Sequence, residues 1–143
     1  MIIAIDFDGT CVTHEFPKVG KDIGAVPVLK QIVNDGHQLV LFTMRSDIVN
    51  PTGEGNELHL ESGNYLSEAV QWFKDNDIPL YGVQSNPTQH TWTTSPKAYA
   101  QLYIDDAALG CPLIVDETKS ERPFVNWWKV MNYLVDAKII MQQ

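Results

Sequence analysis

Two acidic pairs stand out by type and spacing. Asp6 and Asp8 are one residue apart near the start of the chain, and Asp105 and Asp106 are adjacent much later. Asp6 and Asp8 follow the apolar run Met1–Ile5. Carboxylates this close, beside buried hydrophobic residues, repel each other and are poorly solvated. They coexist only with a cation, hydrogen-bond donors or a shared proton to stabilise them. Gly9 and Thr10 follow at once, so the chain can turn there and offer a hydroxyl.

These residues need elements to hold them. Met1–Ile5, with two isoleucines and a polar turn after it, reads as a strand buried on both faces. Residues 11–24 carry Pro17, Gly20 and Gly24 and read as a loop or short hairpin over that strand's end. Val26, Leu29, Ile32 and Val33 fall at helical spacing from Ala25, and Asn34-Asp35-Gly36 supplies the stop. Leu39–Phe42 is a second apolar strand, leading into Thr43, Met44 and Arg45. Residues 47–61 form a polar loop containing Gly53, Gly55 and Asn56, unusually long for its place. Ser62 caps a predicted helix to about Asn76, and Ile78–Val83 is a weaker strand. A loop over 84–96 follows, and Pro96 begins a short helix holding Lys97. Leu102–Ile104 is a strand ended by Asp105-Asp106, and Leu113–Val115 is another. A closing helix spans Val125 to about Ile139, with Trp128, Met131, Leu134 and Val135 inward.

Strands alternating with helices imply an α/β fold with a mostly parallel sheet between helices and right-handed crossovers. Asp6/Asp8, Thr43 and Asp105/Asp106 all end strands. In a parallel sheet they converge on the carboxyl edge, where ligands bind.

Composition narrows the partners. The 143 residues suit one domain, 1–143, with no internal repeat or linker. A net charge of −8 argues against broad affinity for nucleic acid or anionic membrane. A phosphorylated substrate stays open, since a bound divalent cation reverses the local field. Cys11 and Cys111 form no framework, no secretory segment precedes Asp6, and no apolar stretch is long enough to span a membrane. The expected location is the cytoplasm.

Asp6-Phe7-Asp8-Gly9-Thr10 after an apolar strand, Thr43 after LVLF, Lys97, and Asp105-Asp106 after LYI occur in that order. This set resembles the haloacid dehalogenase (HAD) superfamily of phosphatases and phosphotransferases over roughly the first 110 residues. The resemblance implies a Rossmann-like three-layer sandwich. It also implies a Mg²⁺-dependent phosphatase acting on phosphomonoesters through an aspartyl-phosphate. Asp6 is then the nucleophile and Asp8 the general acid and base. Asp6, Asp8 through its backbone carbonyl, Asp105 and Asp106 make the metal site, with Asp105 the direct ligand and Asp106 either behind the ligands or bridged to the ion by water. Thr43 donates to a phosphoryl oxygen, and Lys97 pairs with the nucleophile and the phosphoryl charge. Gly9, Thr10, Met44 and Arg45 are the substrate-binding positions.

Plainer roles compete. Asp6 can serve as a turn cap, Thr43 as an ordinary strand end, Asp105-Asp106 as a turn, and Lys97 as a solvated lysine. Arg45 fits a substrate anion or a structural salt bridge equally well. His14, His37, His59 and His90 show no metal-ligand spacing and read as surface or loop residues. Trp92 either lines the site or sits in a surface loop.

Neither insertion point used for caps in the superfamily, 11–24 or Thr43–Lys97, has room for a folded cap. A capless member admits a phosphoprotein or a nucleic-acid end. As a homo-oligomer, with a neighbouring subunit acting as cap, it takes small esters. The acidic charge favours the small ester. The 47–61 loop is a candidate recognition element. A receiver-like module and a non-catalytic binding scaffold are the readings from other classes. In receivers, however, an acidic pair opens the chain and the phosphorylated Asp lies mid-chain.

Overall fold

The computed structural model describes residues 1–49 and 60–141. The expectations placed on Gly53, Gly55, Asn56 and His59 lie outside them. The centre is a four-stranded parallel sheet made of β1 (Ile2–Ile5), β2 (Gln38–Leu41), β5 (Gly82–Val83) and β6 (Leu102–Ile104), in the order β5-β2-β1-β6. Ile3 pairs with Leu39 on one side and Leu102 on the other, and Ile5 with Leu41 and Ile104. This register aligns the strand ends, so the residues after Ile5, Leu41 and Ile104 emerge at one edge.

Three helices cover the sheet among the described residues: α1 (Ala25–Asn34), α2 (Tyr65–Asp75) and α3 (Trp127–Asp136). Side chains alternate across a strand. Ile3, Ile5, Leu39 and Leu41 join Leu29 and Ile32 of α1, Phe73 of α2, and Trp127 and Leu134 of α3 in one core. The topology explains why the helices share it. The path β1–β2–β5 advances in one direction, so right-handed crossovers lay α1 and α2 on the same face. The path from β5 to β6 returns past β1, and that crossover, residues 84–101, runs over the opposite face.

The crossover differs from expectation. No helix begins at Pro96; the regular piece is a single 3₁₀ turn, Gln89–Thr91. Side-chain hydrogen bonds do the folding instead. Gln89, buried, donates to the carbonyls of Ser95 (3.2 Å) and Lys97 (3.0 Å) and accepts from Tyr99 N (2.8 Å). Asn86, also buried, donates to Tyr99 O. Ala98 is fully buried beneath this loop, and the Tyr103 hydroxyl donates to its carbonyl.

Other boundaries shifted for local reasons. Only Gly82–Val83 of the Ile78–Val83 segment pairs with β2. β7 (Leu113–Ile114) lies outside the main sheet and pairs antiparallel with β8 (Phe124–Val125). The start of α3 is therefore displaced to Trp127, with Asn126 Oδ1 accepting from Lys129 N at 3.1 Å as its N-cap. Trp127, Val130 and Leu134 face the core, while Trp128 is 69% exposed, the reverse of the expected tryptophan. Both sets of residues have helical spacing. Trp127 is favoured because its indole N–H reaches the Thr10 carbonyl at 2.7 Å. β3 (Asp47–Ile48) and β4 (Gly63–Asn64) form a small antiparallel pair beside α2.

Candidate functional site

Where β1 ends, Asp6 N donates to Ile104 O (3.0 Å), tying the strand end to β6. The chain then turns tightly, with Thr10 N and Cys11 N both donating to Phe7 O and Gly9 N to Val12 O. Gly9 holds φ +80°, which suits glycine and strains other residues. Behind the turn, Val125 N donates to Gly9 O and Trp127 to Thr10 O. The last helix and its preceding strand thus back the acidic turn.

Asp6, Asp105 and Asp106 each offer a carboxylate oxygen, all within 4.8 Å of one another. Thr10, fully buried, links them: its hydroxyl lies 2.8 Å from Asp6 Oδ2 and 3.1 Å from Asp106 Oδ1, and it accepts from Asp106 N at 3.0 Å. Burial, and next the charge of Asp105, push the Asp6 carboxyl up to about 8; the Thr10 hydroxyl and the Phe7 N–H only partly offset this. Such crowding favours a bound cation. The donors are hard oxygens, the set that Mg²⁺ and Ca²⁺ prefer, so the residues present fit a divalent ion. Asp105 has one oxygen on Ala107 N (2.8 Å) and borders the open cavity, whereas both oxygens of Asp106 face protein groups.

The second protein group on Asp106 is His14, whose Nε2–H donates to Oδ2 at 2.7 Å. His14 lies in the loop, as expected, but is mostly covered there: 13% of its side chain is exposed. It carries no spacing signal, because its partner lies 92 positions away.

A cavity of about 260 Å³ opens beside Asp6, lined also by Phe42, Thr43, Met44, Gln84 and Asp105. Thr43 follows β2, and its Oγ1 accepts from Arg45 N (3.2 Å), which leaves its hydroxyl hydrogen to donate elsewhere. Gln84 sits at the end of β5. Its amide accepts from Thr43 N (2.9 Å) and donates to Thr43 O (2.7 Å) and Arg45 O (3.1 Å), bracing the loop that carries the threonine. Sequence reasoning overlooked Gln84, although the strand-end rule that selected Asp6 applies to it equally. Met44 is almost wholly exposed at the rim.

Asp8 does not face this cavity. Its two oxygens accept from Arg45 Nη2 and Nε, both at 2.8 Å, in a bidentate pair. Arg45 is buried and also donates to the carbonyls of Pro17, Lys18 and Tyr65, with the rings of Phe7 and Phe16 each 5.1 Å from the guanidinium carbon. Arg45 makes the structural salt bridge of its two sequence roles, with its N–H donors on protein acceptors and 1% of its side chain exposed.

Lys97 is exposed. Its ammonium lies 5.6 Å from the centre of the Tyr103 ring, and among the described residues it forms no ion pair with Asp6 or Asp105. Trp92 stacks edge-on to Tyr99 at the surface and does not border the cavity.

The chain matches no family model and no curated protein. Among solved structures it is similar to a conserved protein from Bacteroides thetaiotaomicron, with 28% identity and a TM-score of 0.67, over 96% of this chain and 91% of that one. The likeness runs through nearly the whole length of both chains, in keeping with the α/β architecture. No helix among the described residues is long and apolar enough to cross a membrane.

Proposed function

We propose that this chain is a divalent-metal-dependent phosphatase of small phosphomonoesters, working through an aspartyl-phosphate on Asp6 in the manner of a capless HAD-superfamily member. The observation that carries this reading is the placement of Asp6. It is partly buried at the carboxyl edge of a parallel sheet, grouped with Asp105 and Asp106, and it borders a cavity shared with Thr43. In this reading the helices, the sheet and the 84–101 crossover are the three layers of the sandwich. Residues 11–24, pinned by Arg45 and His14, take the place of a cap.

A bound Mg²⁺ supplies charge neutralisation for the three carboxylates and the phosphoryl oxygens. The protein groups do the rest. With Oδ2 of Asp6 on Thr10, the other oxygen attacks phosphorus while the ester oxygen leaves, and water then hydrolyses the acyl phosphate to restore the carboxylate. The free hydroxyl hydrogen of Thr43 donates to a phosphoryl oxygen. Proton transfer by Asp8 requires one of its oxygens to leave Arg45. The cavity, about 260 Å³, has room for a phosphoryl group, and the net charge of −8 favours a small carrier over a polynucleotide.

An aryl phosphate such as p-nitrophenyl phosphate, with Mg²⁺, tests the reading. Turnover blocked by chelation, and reduced at least about 10³-fold in Asp6→Asn with the circular dichroism spectrum unchanged, is the expected result. Near-native Mg²⁺-dependent turnover by Asp6→Asn refutes the mechanism. A screen of phosphorylated metabolites, nucleotides and phosphopeptides then separates small from macromolecular substrates.

A further inference from the structure

We infer that His14 is a positioning residue for the metal site: it fixes Asp106, so that the acidic group is preset for a divalent cation. The inference rests on the metal-dependent reading above and extends it to a residue outside the acidic and Thr/Lys set. Three observations meet at this side chain. Its Nε2 lies 2.7 Å from Asp106 Oδ2, a charge-assisted distance. The imidazole is seated directly on Gly9, where a Cβ would lie 1.9 Å from Nε2, so the glycine of the turn leaves room for this ring. The segment bearing His14 is itself held: Thr13 N donates to Lys21 O (3.1 Å), Lys21 N to Thr13 Oγ1 (2.9 Å), and Val12 bridges Asp22.

Asp106 is thereby gripped from two sides. Thr10, from the β1 turn, accepts from Asp106 N (3.0 Å), and His14, from the following loop, holds Oδ2. An aspartate held at one carboxylate oxygen and at its own backbone N–H cannot move freely, and it orients whatever it contacts in the coordination shell. Such outer partners of metal ligands contribute to affinity without touching the ion, and their loss typically costs about 10–100-fold. Among the described residues the Asp105 carboxylate accepts from Ala107 N on one oxygen, which leaves the other for direct ligation.

The test is Mn²⁺ or Mg²⁺ affinity of the full chain, measured by calorimetry or by electron paramagnetic resonance of Mn²⁺, with no substrate present. His14→Phe keeps a ring and loses the donor, and His14→Asn shortens the donor's reach and serves if the phenylalanine variant does not fold. Each is expected to weaken the metal about 10-fold or more. His14→Gln, which keeps an N–H at similar reach, is expected to stay within about 3-fold of wild type. In an Asp106→Asn background, removing His14 is expected to add little, because the two act as one unit. Metal affinity within 2-fold of wild type in His14→Phe or His14→Asn overturns the inference. So does an equal loss with and without Asp106, which marks a merely structural role. A wild-type chain that binds neither ion refutes the metal-dependent reading itself, and this inference with it. Tight wild-type binding indifferent to His14 refutes the inference alone.

Discussion

Asp6 gives the metal-free protein a pH dependence of its own. Its folded carboxyl is raised to about 8 by burial and by Asp105, whereas an unfolded chain titrates it near 3.8. Between these values the folded state holds a proton that the unfolded state has released. The stability associated with this group is therefore full below about pH 4 and is lost as pH rises through about 8. The metal-free melting temperature is expected to fall from pH 5 to pH 8 more steeply in wild type than in Asp6→Asn. At pH 8 the variant should melt at least about 3 °C higher, and added Mg²⁺ should restore the wild type. A parallel pH response of the two proteins in calorimetry counts against this account. The clustering of Asp6, Asp105 and Asp106 was legible from strand ends alone, since parallel strands in register bring their termini together. His14 and the bond between Arg45 and Asp8 were not. Their partners lie 92 and 37 positions away, and neither pairing leaves a local pattern.

At the scale of elements, Asn64 stands at the N-cap of α2 but makes no side-chain capping bond. Asp47, on β3, supplies one: its carboxylate accepts from Ser67 N (2.9 Å) and Ser67 Oγ (2.5 Å), which holds its pKa below the usual carboxylate value. Asp47→Ala is expected to cost about 1 kcal/mol in urea unfolding, a typical value for a lost cap. A group with a lowered folded pKa contributes above its unfolded value near 3.8 and loses that contribution as pH falls. The difference between Asp47→Ala and wild type should therefore shrink below about pH 4. The main strands and helices were readable because their apolar residues recur with the period of the element. The cap was not, because it comes from a different strand. The two tryptophans show a further limit of periodicity: 127/130/134 and 128/131/135 fit one helix equally well, and the Thr10 carbonyl selects the first.

For the molecule as a whole, the two sheet faces are closed by different means. Helices seal one with apolar side chains, and a loop seals the other around buried amides. A hydrophobic pattern announces the first kind of covering; nothing periodic announces the second, which is why residues 84–101 read as an open loop with a helix at Pro96. Gln89→Leu keeps the volume and removes the bonds to Ser95, Lys97 and Tyr99. It is expected to destabilise by about 1–3 kcal/mol in urea, with faster proteolysis within this loop. An unchanged midpoint would show that the amide is not the loop's anchor. The support that Val125 and Trp127 give to Gly9 and Thr10 also sets an order in time. Thr10 precedes Trp127 by 117 positions, so during synthesis the acidic turn emerges well before the residues that complete the backbone beneath it. The turn thus waits for residues made long after it, and a growing chain carries the acidic residues well before their backing is in place.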